Sequence, residues 1–500
     1  MNRTIKPRQA LRVCLGLAVL VSLLATNSSA ATGSGQAVKD TPTSIAALNK
    51  EPLDDTGLTE IRGVSRDLAD KSVSNEQTIV VASLAALRAH LTRDGARVRM
   101  VAGTYRLDPV GSEDLLEFKG SDAHFDFTGV KFEVDTARFE QFSKGRITLV
   151  KLSGDRIVLE GLSLETIGSR PLAARSSAIH LTGRGLVVRN VSLRLSGSYP
   201  YGYGSYFGIN TDGLIQPKKQ NGIRIGGIDN QVLNCRVLMR CFGHAIVLTG
   251  AQNAVVKDCF IEGVLRETDE ILAEKSGPAF DLDFKQYTGP RIPAGTMTSL
   301  SEDGIRAYPF DPETKRPTHD IRVENCRVVR MRRGICLAFA SGNNSITGCE
   351  VRESERVAYH VQTNTTIWDS SGDALYSQVL DLSNATSKDS VVDLTVLDSR
   401  GFKGHRVLAT INGVGHRVAL KEAAPGFVSA EFTVDVAQAR SAPGEAPANS
   451  SASRLHLTNL TPARVVLHST AQAVMVVSRG LVVNQGSENT VRRFVDTPSH

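Results

Sequence analysis

The sequence predicts an all-β fold, a single-domain right-handed parallel β-helix, and two observations support this prediction. The first is a repeat: residues 221–227 read NGIRIGG, residues 244–250 read HAIVLTG, and each copy is followed by an apolar segment starting at Cys235 or Cys259. The copies lie 23 residues apart at their start, the length of one solenoid coil. The second is alternation, because each copy holds two short runs of alternating apolar residues separated by turn residues. Such coils bury their apolar faces only by stacking on neighbours.

The other segments follow in chain order. Residues 1–30 have a basic start, a short apolar stretch and small residues at the end, which is typical of a secretory signal peptide. Residues 31–75 are rich in Ser, Thr, Asp and Ala and predict a linker or loosely ordered arm. The β-helix is expected over residues 76–490, with a short amphipathic helix over residues 83–91 that caps its first coil. The mature protein is therefore expected to be secreted or periplasmic, with no transmembrane segment.

The cysteines are expected to be free and buried in the stacked coils. Cys235, Cys259, Cys326 and Cys349 occupy the same position of successive repeats, which favours a column of small buried thiols. The alternative is disulfide pairing, since six cysteines remain in the chain after removal of the signal peptide. The state of the other two, Cys241 and Cys336, stays open.

A basic column is expected on one outer face of the solenoid. Alternation places the middle residue of each apolar triplet outward, and four of these residues are Lys151, His180, Arg224 and Arg306. The full column reads Glu117, Lys151, His180, Arg224, Val247, Arg306, Cys336 and His360. Cations one coil apart, about 4.8 Å, would form a strip along which an anionic polymer could lie.

Two long interruptions adjoin the central coils, where loops on a rigid scaffold tend to carry function. The first, residues 196–220, holds four of the nine tyrosines. Its candidates for sugar stacking are Tyr201, Tyr203 and Tyr206, which could also simply pack the loop onto the solenoid. The second interruption is residues 264–302.

Candidate carboxylates lie in and beside the second interruption. Asp281 and Asp283 stand two apart in a strand-like run, where they could form a hydrolytic pair, contact substrate or bind a cation. Asp303 follows the interruption at the coil position of His244, although Asp before Gly is also a common turn choice. Asp212 is the remaining acid near the tyrosines.

Composition argues against nucleic acid as a partner. The net charge is +6, and the basic residues are spread along the chain rather than gathered with aromatic residues into one patch.

The repeated coils, the N-terminal helix and the phrase AGTY at residues 102–105 resemble the pectate-lyase-like superfamily of secreted parallel β-helix proteins. That resemblance implies action on polysaccharides, by β-elimination at uronic acids or by hydrolysis. The phrases NTDG at residues 210–213 and GHA at residues 243–245 are similar to the pectin-hydrolysing branch. The paired Asp motif and the Arg-Ile-Lys motif of that branch are absent from their expected places, and fold alone does not fix function.

We therefore expect an exported polysaccharide lyase that cleaves an acidic polysaccharide, acting as a monomer. In this hypothesis Arg224 and Arg306 bind the uronate carboxylate, His244 acts as base or acid, and Asp303 completes the catalytic set. Lys151, His180, the three tyrosines and the two aspartates of the second interruption would contact substrate. No cofactor is required, although calcium would be compatible. The alternatives are a glycoside hydrolase with paired aspartates and a glycan-binding surface protein without activity.

Overall fold

The computed structural model describes residues 78–109, 114–142, 145–209, 213–438 and 450–494. The predicted signal peptide and arm lie outside these residues. Within them the chain forms the predicted right-handed parallel β-helix, with 46% strand and 5% helix. The coils carry their strands on three faces, and the strands of each face run parallel and in register with those of the neighbouring coils.

The first face is a sheet of 13 strands, and it carries the predicted basic column. Its strands are β4 Asp114–Phe118, β7 Arg146–Leu152, β10 Arg175–Leu181, β13 Lys219–Ile225, β16 Ile246–Leu248, β21 Asp303–Ala307, β24 Arg333–Cys336, β27 Val357–His360, β29 Gln378–Leu382, β31 Val407–Ile411, β34 Thr433–Val436, β37 Arg464–Leu467 and β40 Val482–Asn484.

The second and third faces belong to one 23-stranded sheet whose two rows merge at β28. The second face comprises β1 Ile79–Val81, β2 Arg97–Met100, β5 His124–Asp126, β8 Val158–Glu160, β11 Val187–Arg189, β14 Gln231–Leu233, β17 Val255–Lys257, β22 Arg322–Glu324, β25 Asn344–Thr347, β28 Thr365–Gly372, β30 Val391–Val396, β33 Arg417–Glu422, β36 His456–Asn459, β39 Met475–Ser478 and β41 Thr490–Arg493. The third face comprises β3 Gly103–Arg106, β6 Val130–Asp135, β9 Ser163–Ile167, β12 Ser192–Leu195, β15 Arg236–Met239, β18 Phe260–Glu262, β23 Arg327–Val329 and β26 Glu350–Arg352.

Helices are few and short. The first, α1 Leu84–Arg88, is the predicted capping helix: Ser83 Oγ accepts the Ala86 N–H at 3.1 Å, and Leu87 packs into the core. The remaining elements are α2 Thr268–Leu272, α3 Pro278–Asp281, the 3₁₀ helix Thr136–Phe142, the antiparallel pair β19 Leu265–Glu267 and β20 Met297–Ser299, and the small sheet of β32 Gly413–Val414, β35 Ala452–Ser453 and β38 Ala471–Gln472.

The core runs along the inside of the solenoid and is mainly apolar, with a few buried polar side chains such as Asn230. Phenylalanines fill the first coils, where the rings of Phe118 and Phe125 meet edge to face at 4.6 Å. Each fully buried side chain of this size contributes about 1.5–3 kcal/mol through the hydrophobic effect. The prediction that the four cysteines of the column are free and buried is confirmed. The other two cysteines of the described residues, Cys241 and Cys336, are also free and buried.

The Asn-Cys phrase of the repeat marks the turn between the second and third faces. Asn234 and Asn325 have positive φ angles of 49° and 51°, a left-handed conformation that asparagine tolerates better than most residues. Asn325 Nδ2 also donates to Asp258 Oδ1 at 3.1 Å, so the turns of adjacent coils are linked through their side chains.

One local prediction was wrong. The run that holds Asp281 and Asp283 forms the end of helix α3 and the turn that follows it, not a strand. Pro278 begins this helix, where its missing N–H costs nothing. The two aspartates are exposed and do not form a strand pair facing one side.

Candidate functional site

The candidate site is the surface of the first face between the loops on its two edges, and we call this surface the groove. Because the strands are parallel, their beginnings lie along one edge of the face and their ends along the other. The first interruption, which we call the tyrosine loop, residues 196–218, lies just before β13. The second, which we call the insertion, residues 264–299, lies shortly before β21. A third loop, residues 308–318, follows β21 and borders the opposite edge. This third loop was not predicted.

The predicted outward column is present in the predicted register. Lys151 pairs with His180, His180 with Arg224, and Arg224 with Val247 on the next strand. Val247 then pairs with Arg306, followed by Cys336 and His360. These side chains therefore lie one coil apart along the floor of the groove.

Most cations of this column are already paired with carboxylates. Lys151 Nζ lies 2.9 Å from Asp114 Oδ2 and 3.2 Å from Glu117 Oε1. Arg224 donates to Asp311 Oδ2 at 2.8 Å and to Thr249 Oγ1 at 2.9 Å. Asp311 belongs to the third loop, so this ion pair holds that loop over the groove. The column is thus less cationic than its residue types suggest.

His180 sits between Lys151 and Arg224 and is held neutral. Burial, helped by the charge of Arg224, lowers the pKa of His180 to about 3. A pKa this low leaves the imidazole neutral at ordinary pH, where it can exchange hydrogen bonds with substrate hydroxyls but is a weak base.

Charge accumulates farther along the groove, where a cluster of ionic side chains meets. Asp303 Oδ1 lies 3.1 Å from Arg332 Nη2 and 3.5 Å from Arg333 Nη1, and Asp303 Oδ2 lies 3.4 Å from Arg306 Nη1. Three guanidinium groups therefore share this one carboxylate. We call the following set the central cluster: Lys219, His244, Glu302, Asp303, Arg306, Tyr308, Arg332 and Arg333.

The second carboxylate of the central cluster is Glu302. Its Oε1 accepts from Lys219 Nζ at 2.8 Å and lies 3.6 Å from Arg332 Nη2. Burial would raise the pKa of Glu302, but His244, Lys219 and Arg332 outweigh it and lower the pKa to about 2. With two carboxylates facing Lys219 and three arginines, the central cluster carries surplus positive charge.

His244 lies beneath the groove surface rather than in it. Its side chain is 5% exposed, and its Nδ1 accepts the backbone N–H of Asp303 at 3.1 Å. The proton of the neutral ring is therefore on Nε2, which lies 3.1 Å from Tyr308 Oη and 3.4 Å from Glu302 Oε2. Burial lowers the pKa of His244 to about 4. His244 is thus a buried side chain in contact with Tyr308, and its predicted role as a direct acid or base stays a prediction.

Tyr308 is the functional candidate that the sequence analysis missed. It is 36% exposed, its hydroxyl contacts His244, and its ring lies 5.0 Å from the Arg306 guanidinium. Burial raises the pKa of Tyr308 to about 12, so the phenol keeps its proton. Its place two residues after Arg306 on an alternating strand was the available signal.

Arg306 is confined, not free to reach outward. Its guanidinium lies between the rings of Tyr308 and Phe339, at 5.0 and 4.7 Å, and its Nη1 lies 2.7 Å from Cys336 Sγ. Cys336 Sγ also lies 3.4 Å from His360 Nδ1. Burial would raise the pKa of Cys336, but Arg306 and His360 outweigh it and lower the pKa to about 6. The thiolate therefore balances the charge of Arg306.

The tyrosine loop packs against the insertion, so its predicted exposure is corrected. Tyr203 is 2% exposed, and its hydroxyl donates to Glu274 Oε2 at 2.9 Å. Tyr201 Oη is buried without a hydrogen-bond partner among the described residues, and Tyr206 is half-buried against the same cluster. The rings of Tyr203 and Tyr206 join Phe207 and apolar residues of the insertion in a second small core. The alternative reading, that they hold the loop in place, describes them better than sugar stacking.

Two further findings bear on the site. Among the described residues, no group of three His, Cys, Asp or Glu side chains is arranged to hold a metal ion. In the same part of the chain, no helix is long and apolar enough to cross a membrane. Asp212 lies outside the described residues.

The comparisons with known proteins show the fold. No protein-family model matches the chain, and no curated protein matches it. Among solved structures, it resembles a PL6 alginate lyase in complex with a trisaccharide, with 12% identity, a TM-score of 0.50, and 84% of this chain and 89% of that chain covered. It also resembles a tailspike protein mutant of E. coli bacteriophage HK620 in complex with a pentasaccharide, with 10% identity, a TM-score of 0.47, and 79% of this chain and 73% of that chain covered. A further similar structure is the pectate lyase Pel9A, with 13% identity, a TM-score of 0.35, and 70% of this chain and 77% of that chain covered. The predicted resemblance to pectate-lyase-like β-helix proteins is thus confirmed for the fold.

Proposed function

We propose that this protein is an exported enzyme that cleaves an acidic polysaccharide by β-elimination in the groove of the first face. The observation that carries the proposal is the partly exposed Tyr308, whose hydroxyl contacts buried His244 beside a central cluster with surplus positive charge. An eliminase must neutralise a uronate carboxylate, remove the adjacent proton and protonate the leaving oxygen. The groove offers side chains for the first and the third of these tasks.

Carboxylate neutralisation is assigned to the guanidinium groups around Asp303. Arg333 is the most exposed of the three, at 16%, and it shares its carboxylate partner with Arg306 and Arg332. A uronate bound beside Arg333 would balance the surplus charge. Arg224 already has Asp311 as a partner, so its predicted role moves to a supporting one along the groove.

Proton transfer is assigned to Tyr308. When His244 Nε2–H donates to Tyr308 Oη, the phenol proton is free to point into the groove and reach the leaving oxygen. His180 lies three coils from Arg306, about 14 Å along the column, so it contacts a different part of the polymer, and the proton removed from the sugar passes to solvent. His244 then acts as a positioning residue for Tyr308.

Hydrolysis is less well supported by the same groove. A glycoside hydrolase needs one protonated and one ionised carboxyl group on either side of the bond. Glu302 and Asp303 are both buried in ion pairs that hold their pKa values low. Neither can serve as the protonated acid.

The test is ultraviolet absorbance during incubation with alginate, polygalacturonate, hyaluronan and, separately, a neutral glucan. The PL6 alginate lyase that shares the fold justifies alginate in this panel. Elimination creates an unsaturated product, so absorbance should rise with an acidic polymer only. Tyr308→Phe should lower the rate by about 10²-fold or more with the fold retained, whereas Tyr287→Phe, a change at an exposed insertion tyrosine, should not.

Other outcomes would replace the proposal. New reducing ends without an absorbance rise would favour a hydrolase, and no product from any polymer would favour a glycan-binding protein. Export is tested separately by the mass of the mature chain, which should begin after residue 30.

A further inference from the structure

A cavity of about 540 Å³ lies at the end of the groove beyond the central cluster. It is formed by the turns that follow β24 and β27, at the exit edge of the first face. Its lining residues are Ala338, Phe339, Ala340, Ser341, Gly342, Gln362, Thr363 and Asn364.

The lining contrasts with the groove floor because none of its residues carries a charge. Ala338 and Ala340 contribute methyl groups and Phe339 a ring. Gln362 Oε1 accepts from Asn384 Nδ2 at 3.0 Å, which fixes the orientation of the amide. Its Nε2 has no hydrogen-bond partner among the described residues, and neither does the side-chain amide of Asn364. The fixed donor of Gln362 and the unpaired amide of Asn364, beside apolar groups, suit a ligand rich in hydroxyl or amide groups.

The cavity is continuous with the candidate site through Phe339. One side of the Phe339 ring contacts the Arg306 guanidinium at 4.7 Å, and Tyr308 covers the same guanidinium from the neighbouring coil at 5.0 Å. Phe339 also lines the cavity. A chain bound with its uronate at the central cluster would therefore place an adjoining residue against Phe339.

We infer that this cavity is a subsite for a neutral sugar residue adjoining the uronate, so that the substrate is a polymer in which acidic and neutral sugars alternate. The position of the uronate in this inference rests on the proposed function, whereas binding of a neutral sugar in the cavity does not. A carboxylate placed among uncharged groups would lose its hydration without gaining a cation. A neutral sugar ring, by contrast, can exchange water for the amide of Gln362 and for contact with Phe339.

The first test compares polymers at equal concentration. Hyaluronan, in which a uronate alternates with a neutral amino sugar, should be cleaved with a kcat/KM at least about tenfold above that of alginate or polygalacturonate, in which every residue is acidic. Preference for alginate or polygalacturonate would overturn the inference and leave the proposed lyase activity intact.

The second test removes the lining amides. Gln362→Ala and Asn364→Ala should each raise KM for the alternating polymer about three- to tenfold with kcat little changed, since each removes one uncharged hydrogen bond. Asn343→Ala is the matched control, because Asn343 is an exposed neighbour that does not line the cavity. Equal KM values for lining and control variants would overturn the subsite.

The third test does not depend on turnover. Calorimetric titration of the full chain with N-acetylchitotriose, a neutral oligosaccharide, should show saturable binding that Gln362→Ala weakens and Asn343→Ala does not. Absence of binding, or binding unaffected by Gln362→Ala, would overturn the subsite even if elimination is observed. Binding without elimination of any polymer would instead retain the subsite and reject the proposed function.

Discussion

The side chains that matter most in the groove are held by charges from distant parts of the chain. Arg306 illustrates this, because its Nη1 lies 2.7 Å from Cys336 Sγ and 3.4 Å from Asp303 Oδ2. Cys336 is completely buried, and its depressed pKa of about 6 means that it is a thiolate at neutral pH. A thiol ionised at pH 7 in the interior implies that the ion pair with Arg306 and His360 contributes to stability.

Cys336→Ala should therefore destabilise the protein in a pH-dependent manner. The folded-state pKa lies below that of the unfolded thiol, so the stabilisation is complete above the unfolded pKa and is lost as pH falls through about 6. The pH-dependent part of the difference in unfolding free energy between wild type and variant should grow from about zero at pH 5 to about 2 kcal/mol near pH 7.5, on top of a constant cost for the cavity. Denaturant unfolding at several pH values measures it.

The control for this experiment is Cys241→Ala. Cys241 is equally buried, but burial raises its pKa, so it stays a neutral thiol. Its substitution should cost stability by leaving a small cavity, with no change in that cost between pH 5 and 7.5. Equal pH dependence in both variants would show that Cys336 is not ionised.

For single residues, the sequence predicted where side chains lie better than it predicted which groups they contact. Strand alternation correctly placed Lys151, His180, Arg224 and Arg306 in one outward column, because alternation is a local property of the chain. It could not show that Arg224 is paired with Asp311, since that carboxylate arrives on a loop 87 residues later. Tyr308 was missed for a related reason. Its candidate role depends on its contact with buried His244, which lies 64 residues earlier in the sequence.

The loops form the next level of organisation, and two of them fold against each other. Arg266 of the insertion is 5% exposed, donates to the Gly202 carbonyl at 3.0 Å and pairs with Glu274 at 2.9 Å. Tyr203 completes this contact through its own hydrogen bond to Glu274. The sequence predicted that both loops exist and that they adjoin the central coils. Their mutual packing depends on contacts between distant residues, which alternation does not encode.

Arg266→Ala should release both loops without unfolding the solenoid. Removing one member of a buried ion pair leaves Glu274 uncompensated, at a cost of about 3–5 kcal/mol, and the second core is too small to absorb this. Amide hydrogen exchange should therefore accelerate in the tyrosine loop and the insertion while the strands keep their protection.

The exposed Arg291, whose guanidinium lies 5.3 Å from the Phe284 ring of the same insertion, provides the control. Arg291→Ala should leave exchange in both loops close to that of the wild type. If Arg266→Ala also left the loops protected, the second core would be stable without the ion pair.

The whole molecule is a stack in which each coil contacts mainly its neighbours, and this is why its fold was predictable. A pattern of about 23 residues repeated along the chain specifies the strand, the turn and the inward side chains of every coil. Long-range register then follows from stacking one coil on the next. The strands continue to Arg493.

The reactivity of the buried cysteines toward a thiol reagent measures how readily the stacked core opens. The six cysteines of the described residues are free and at most 2% exposed, so a thiol reagent can reach them only after coils open. The native mature chain should react at none of them on the timescale of mixing, and the chain in denaturant should react at six. Cys326→Ala should lower the count in denaturant by one and leave the native count at zero. Fast reaction of several thiols in native buffer would show that the central coils open far more readily than a continuous apolar core allows.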